Sequence, residues 1–128
     1  SIDYRRIFDS SDLKAKVKGK ASYMELRRAF DSDNEGKRIV VCATVSEAEE
    51  KAYKDKMTGE QKKFAKIMLQ QNNDMMELVC WSDFLQNYPA PIGSLKNKVI
   101  IVSVVIKYSD YSGANSLTTY KSSLIQVM

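Results

Sequence analysis

Six lysines, Lys51, Lys54, Lys56, Lys62, Lys63 and Lys66, fall within a stretch that holds only two acids, Asp55 and Glu60. The whole chain carries a formal charge of +4, so this stretch accounts for the surplus, and the remaining 14 basic and 14 acidic residues cancel. A local basic patch on an otherwise balanced chain is the footprint of a polyanion ligand, or else a solvated hairpin kept soluble by lysine. Flat and apolar side chains are interleaved with the charge. Lys62, Phe64, Lys66 and Met68 share one side if residues 62–70 form a strand, and Tyr53, Lys54 and Lys56 precede them. Lys107, Tyr108 and Tyr111 repeat the combination near the other end of the chain. Positive charge for phosphates beside flat faces for bases is the chemistry of single-strand binding.

Other chemistries find less support. Without histidine, acid–base work would fall to carboxylates, tyrosine, lysine or cysteine. The acid clusters at 31–35 and 47–50 lie in a turn and at a strand exit, and none of the five glycines builds a phosphate-cradling loop. An active site within this chain is not expected. Asp31, Asp33, Glu35 and Gly36 imitate the opening of a calcium-binding EF-hand, but the twelfth position, which should supply a bidentate Glu, is Cys42 inside a β-branched run. Two cysteines without histidine do not make an ordinary zinc site either, so no cofactor is expected. Cys42 and Cys80 read as buried thiols of a reducing cytoplasm rather than as a disulfide. The longest apolar run, Val99 to Ile106, is well short of the roughly 20 residues a membrane helix needs, and no secretory signal is visible. Ser1 at the start and a strand-like ending at Val127-Met128 suggest a domain excised from a longer parent.

The elements that must position these residues are set by periodicity. Residues 1–36 read as a helical N-terminal extension, too small to bury its own core and expected to pack on the rest of the chain. Ile2, Tyr4, Ile7 and Phe8 form one stripe on a short helix, with Ser10-Ser11-Asp12 as a cap or turn. The alternating Lys14, Lys16, Lys18 and Lys20 read as a linker or a basic extended arm. Ser22 then caps a second helix bearing Tyr23, Leu26, Ala29 and Phe30 on its apolar face, a surface that covers the barrel or docks a partner. Residues 37–128 alternate as strands: about 37–53, 62–70, 75–81, 99–108 and 117–127. Ile39, Val41, Ala43 and Val45 take one face of the first, and Val40, Cys42 and Thr44 the other. Apolar residues on both faces suit a long strand that coils around a barrel. Met76, Leu78 and Cys80 face the core, with Trp81 read as a core residue at the barrel's end. Ser82-Asp83 opens a short helix with Phe84, Leu85 and Tyr88, stopped by Pro89 and Pro91. Strand, basic hairpin, strand, turn, strand, helix, strand, loop, strand is the order of an OB-fold, a mainly β, five-stranded Greek-key barrel.

One stretch goes further than architecture. Lys62 to Leu85, KKFAKIMLQQNNDMMELVCWSDFL, resembles the second and third strands of the OB domain in the alpha subunit of bacterial replicative DNA polymerase III. Ala65, Ile67, Leu69, Met76, Glu77, Leu78, Val79, Trp81 and Phe84 occupy matching types of position, and Lys98 to Ile106 resembles the next strand. The chain departs from the family in its turn, Gln71-Asn72-Asn73-Asp74 in place of Asp-x-Thr-Gly, and lacks the glycine-arginine that follows the valines. These departures point to a divergent member, of phage or mobile-element origin. The resemblance implies a non-catalytic domain that binds single-stranded DNA without sequence preference, with other replication proteins or the rest of a longer parent chain as partners. The same barrel family includes anticodon-binding domains, which leaves RNA open as the ligand, and a protein-docking module is the third alternative.

Overall fold

The computed structural model describes residues 1–17 and 21–128. In chain order the elements are α1 (Tyr4–Asp9), α2 (Leu13–Val17), β1 (Ser22–Tyr23), α3 (Leu26–Ala29), β2 (Arg38–Lys54) and β3 (Gln61–Gln71). They continue with β4 (Asp74–Cys80), α4 (Ser82–Leu85), β5 (Val99–Ser109), β6 (Ala114–Thr118) and β7 (Ile125–Val127). Strands β2, β3 and β4 form an antiparallel meander; β6 lies parallel to β4 and antiparallel to β5. Pairing of β5 with β2, Arg38 opposite Val105 through Thr44 opposite Val99, closes the sheet. This is the five-stranded Greek-key barrel of an OB-fold.

Its interior is filled as the alternation requires. Ile39, Val41, Ala43 and Val45 of β2 meet Ala65, Ile67 and Leu69 of β3, Met76, Leu78 and Cys80 of β4, and the even-numbered residues from Ile100 to Ile106 of β5. Each end of β4 has its own plug. At the close of β4, Phe84 of α4 is buried in the core with Leu85 and Tyr88 packed beside it. At its start, Leu26 and Ala29 of α3 enter the same core. That second end is fastened by polar side chains. Gln71 is buried, accepting from the Leu26 N–H (3.0 Å) and donating to the Cys42 carbonyl (2.9 Å). The Asn115 amide donates to the carbonyls of Ala29 and Asp31, both at 3.0 Å.

The outward residues of β2 are apolar for a different reason. Val40, Cys42 and Ile101 form a second cluster with Tyr4, Phe8, Leu13 and Val17 of α1 and α2. The leading helices therefore lie on the outer side of the β2–β5 pair, and Tyr4 is anchored there by a 2.7 Å hydrogen bond to the Thr44 hydroxyl. Lys14 and Lys16 belong to α2, while Lys18 and Lys20 of the same lysine series lie outside the described residues.

Three expectations are corrected. Ser22 does not cap a helix: Ser22 and Tyr23 pair in parallel with Ile39 and Val40, and α3 begins only at Leu26. β3 pairs with β2 from Thr44 onward, so the backbone of residues 38–42 has an open edge, and β1 satisfies it. Tyr23 thus packs on Phe8 (ring centroids 5.0 Å apart) instead of sharing a face with Leu26, and Phe30 stays exposed. The fifth strand is broken. β6 ends where Thr119 turns its N–H to the Val79 carbonyl, a turn over Tyr120–Ser123 comes next, and β7 resumes pairing with β5 at Val102. Finally, α4 is a single turn, and Tyr88 lies beyond it, stacked on Phe84 at 5.7 Å.

Both cysteines are free and buried, and burial pushes each thiol up to about 12. Native protein should therefore resist a disulfide-exchange reagent at neutral pH and react at both sites only on unfolding; prompt native labelling of either cysteine would contradict the packing. Gln71→Leu removes the partners of two buried backbone groups and should cost about 2–4 kcal/mol in urea unfolding at unchanged slope. Gln70→Leu, next to it on the exposed face, should change stability by less than about 0.5 kcal/mol. Equal effects of the two would refute the bracing role of Gln71.

Candidate nucleic-acid interface

The pairing register fixes which side chains share the barrel's outer surface. Lys51 lies opposite Phe64 and Tyr53 opposite Lys62, while Lys66 faces Val79 and Met68 faces Glu77 on the other side of β3. Paired residues project to the same side of a sheet, so these residues stand together on the outside. Trp81 comes directly after Cys80 there. Because Met76, Leu78 and Cys80 take the inward positions of β4, the next residue in the alternation points out.

Trp81 is thus not a core residue as its size suggested: it is 42% exposed. Its ring stacks on Phe64 with centroids 5.6 Å apart and an interplanar angle of 28°. Tyr53 meets both edge-on, at 5.7 Å from Phe64 and 6.0 Å from Trp81. Offset and edge-to-face contacts of this kind hold aromatic rings in place without covering their remaining faces. With Lys54, Asp55 and Lys56, the three rings line one surface depression.

A second depression begins on the other side of Trp81. It is lined by Arg38, Glu77, Val79, Lys107, Tyr108, Thr119 and Tyr120, among others. The Arg38 guanidinium sits 4.1 Å from the Tyr120 ring centroid, a cation–π contact that holds its charge over the surface. Trp81 lines both depressions, so the two adjoin at its ring and together make a track from the β2–β3 hairpin to the end of β5.

The structure brings together Tyr53, Lys54, Lys56 and Phe64 in the first depression and Lys107 with Tyr108 in the second. Lys62 and Lys66 lie on the same face, but each has an acidic neighbour. Lys62 pairs with Asp55 at 2.9 Å; this hydrogen-bonded contact holds the Asp55 carboxyl below its ordinary range and raises Lys62 above its own. Lys66 approaches Glu77 at 3.8 Å, an exposed contact worth under about 1 kcal/mol and open to displacement by a phosphate. Among the described residues, Arg38, Lys54, Lys56 and Lys107 make no ion pair. They are the cations best placed to meet an anionic backbone.

Five of the sequence candidates, Lys62, Lys63, Lys66, Met68 and Tyr111, line neither depression. Lys63 occupies the opposite pleat and, together with Lys62, lines a third, polar depression with Glu50, Ser82, Asp83 and Gln86, which meets the second at Asp83. Met68 is on the outer face but borders neither part of the track. Tyr111 is 98% exposed in the β5–β6 turn and also lies outside it. In return, the track is lined by three residues that sequence reasoning did not single out for it, Trp81, Arg38 and Tyr120. Trp81 was legible from the alternation of β4. Arg38 and Tyr120 were not, because only barrel closure and the break after β6 bring them together. The leading helices cover Val40, Cys42 and Ile101, so they do not seal the rings.

No family model matches the chain, and no curated protein matches it in sequence. Solved structures do match in shape. An OB domain from Thermoplasma acidophilum aligns with a TM-score of 0.62 at 13% identity, over 84% of this chain and 88% of that one. The second OB-fold domain of replication protein A from Methanococcus maripaludis aligns at 0.53 and 17%, over 73% and 86%. A replication protein A heterotrimer bound to single-stranded DNA aligns at 0.61 and 16%, over 84% of this chain and 25% of that chain. At these identities the likeness is one of fold, and it agrees with the barrel traced above.

Proposed function

We propose that this OB-fold binds single-stranded DNA, without sequence preference, as a non-catalytic module of a replication protein. The observation that carries the reading is the surface cluster of Tyr53, Phe64 and Trp81, flanked by unpaired cations at both ends of one track. Every base has a flat face, so stacking on Phe64 and Trp81 is indifferent to sequence, and each stacked base contributes about 1–3 kcal/mol. Lys54 and Lys56 on one side, with Arg38 and Lys107 on the other, meet the phosphates that such a strand carries past the rings. Two of the structural neighbours are named as replication protein A, one of them bound to single-stranded DNA, which supports this ligand class. The replicative setting, and a parent like polymerase III alpha, rest on the resemblance of residues 62–85.

Anisotropy of a labelled oligo-dT at low and moderate salt tests the reading. Binding should be saturable at low salt and weaken steeply as salt rises, because released counterions drive it. Trp81→Ala should lower affinity at least about fivefold. Lys54→Ala combined with Lys56→Ala should flatten the slope of log affinity against log salt by about 1.4, with Lys63→Ala changing it far less. No binding at low salt would sink the proposal in favour of a docking module. Tight RNA binding with indifference to DNA would shift it to the anticodon type, since that distinction needs a reader of the 2′-hydroxyl.

A further inference from the structure

The β2–β3 hairpin outruns the barrel. β4 accompanies β3 only as far as Ala65 opposite Cys80, whereas β2 and β3 remain paired to Lys54 opposite Gln61. Residues 51–54 and 61–64 are therefore a two-stranded projection, and its turn is built rather than loose. Asp55 organises it: its carboxylate accepts from the Met57 N–H (2.8 Å) and pairs with Lys62, and its carbonyl accepts from the Gly59 N–H (2.8 Å). Glu60 N–H reaches the Thr58 hydroxyl at 3.2 Å, and Gly59 takes the left-handed φ of +70° that the turn needs. At the tip of this braced turn stands Met57, 93% exposed.

An unbranched apolar side chain held out in water by a turn of its own has almost nothing to pack on among the described residues. The neighbouring charges indicate what it meets. Lys56, the residue before it, and Lys54 line the same depression as Trp81, so the tip lies at the entrance of the track and its surroundings favour an anionic partner. Methionine is among the residues that wedge against base steps, where flexibility and polarisability suit a flat apolar face.

We infer that the hairpin is a wedge for the junction between duplex and single strand. Met57 packs on the exposed face of the last base pair. Lys54 and Lys56 take the phosphates of the strand that leaves it, and the first unpaired bases pass to Phe64 and Trp81. This rests on reading the Trp81 track as a single-strand site, and it adds a preferred substrate: a duplex with a single-stranded arm.

The test compares a DNA hairpin carrying an oligo-dT arm, the same arm alone, and the blunt hairpin. The armed hairpin should bind about tenfold tighter than the arm, the scale of burying about half a methionine side chain. Met57→Ala and Met57→Lys should both lose that surplus while affinity for the arm stays within about twofold for the alanine variant, and Met57→Leu should keep it. A fully exposed position makes misfolding of these variants a minor concern, and the retained arm affinity reports it. Equal wild-type affinity for arm and armed hairpin overturns the inference alone. So does a surplus that survives Met57→Ala or grows in Met57→Lys, which would trace it to charge. Failure to bind the arm at all overturns the single-strand reading and the wedge with it.

Discussion

Between Val45 and Glu47 the pairing of β2 with β3 slips by one residue: Val45 lies opposite Leu69 and Glu47 opposite Met68, leaving Ser46 extra. This bulge is the constraint on which the candidate site depends. Before it, the odd-numbered residues of β2 point into the barrel; after it, Glu47, Lys51 and Tyr53 share the outer side with Met68, Phe64 and Lys62. A continuous alternation would send Tyr53 to the same side as Val45. A bulge bends and re-aims a strand, and here the Ser46 hydroxyl donates to the Met68 carbonyl at 3.2 Å across the irregularity. One unpaired residue thus lets a single strand fill the core with its first half and furnish a ring to the surface with its second.

The same strand explains why the outer surface divides in two. Its first half pairs with β5, and there the outward residues Val40 and Cys42 are apolar and covered by α1 and α2. Its second half pairs with β3 and runs past the barrel, and there the outward residues are polar or aromatic and uncovered. Covering one side leaves the β3–β4 side open. The open side is not uniformly basic: Asp55, Glu77 and Asp83 border it as well. Its distinguishing feature is the coincidence of rings with cations, which is a sharper description than net charge alone.

Much of the barrel was legible because strands with one buried face announce themselves by period two. β2 through β5 lie within a residue or two of their expected bounds, and even the plug around Phe84 was marked by its apolar residues and prolines. What escaped was set by contacts distant in the chain. β1 is two residues long, and nothing in Ser22-Tyr23 signals a strand until the open edge of Ile39 and Val40 lies beside it. The interruption between β6 and β7 is a turn closed by the Ser123 N–H on the Tyr120 carbonyl, after which Ile125 pairs again with Val102 of β5. Trp81 is the instructive case among the candidate residues. The alternation of Met76, Leu78 and Cys80 already placed it outside, and the expectation that a large aromatic ring belongs in a core outweighed the better local signal.

Trp81 is the one tryptophan of the chain, so its emission reports directly on whether a base reaches the proposed platform. Titration of unlabelled oligo-dT at low salt should quench that emission saturably, with a midpoint shared by any independent measure of binding. Oligonucleotide that binds while the emission of Trp81 stays unchanged would contradict the account, because the strand would then lie somewhere other than on the rings that the barrel and its bulge assemble.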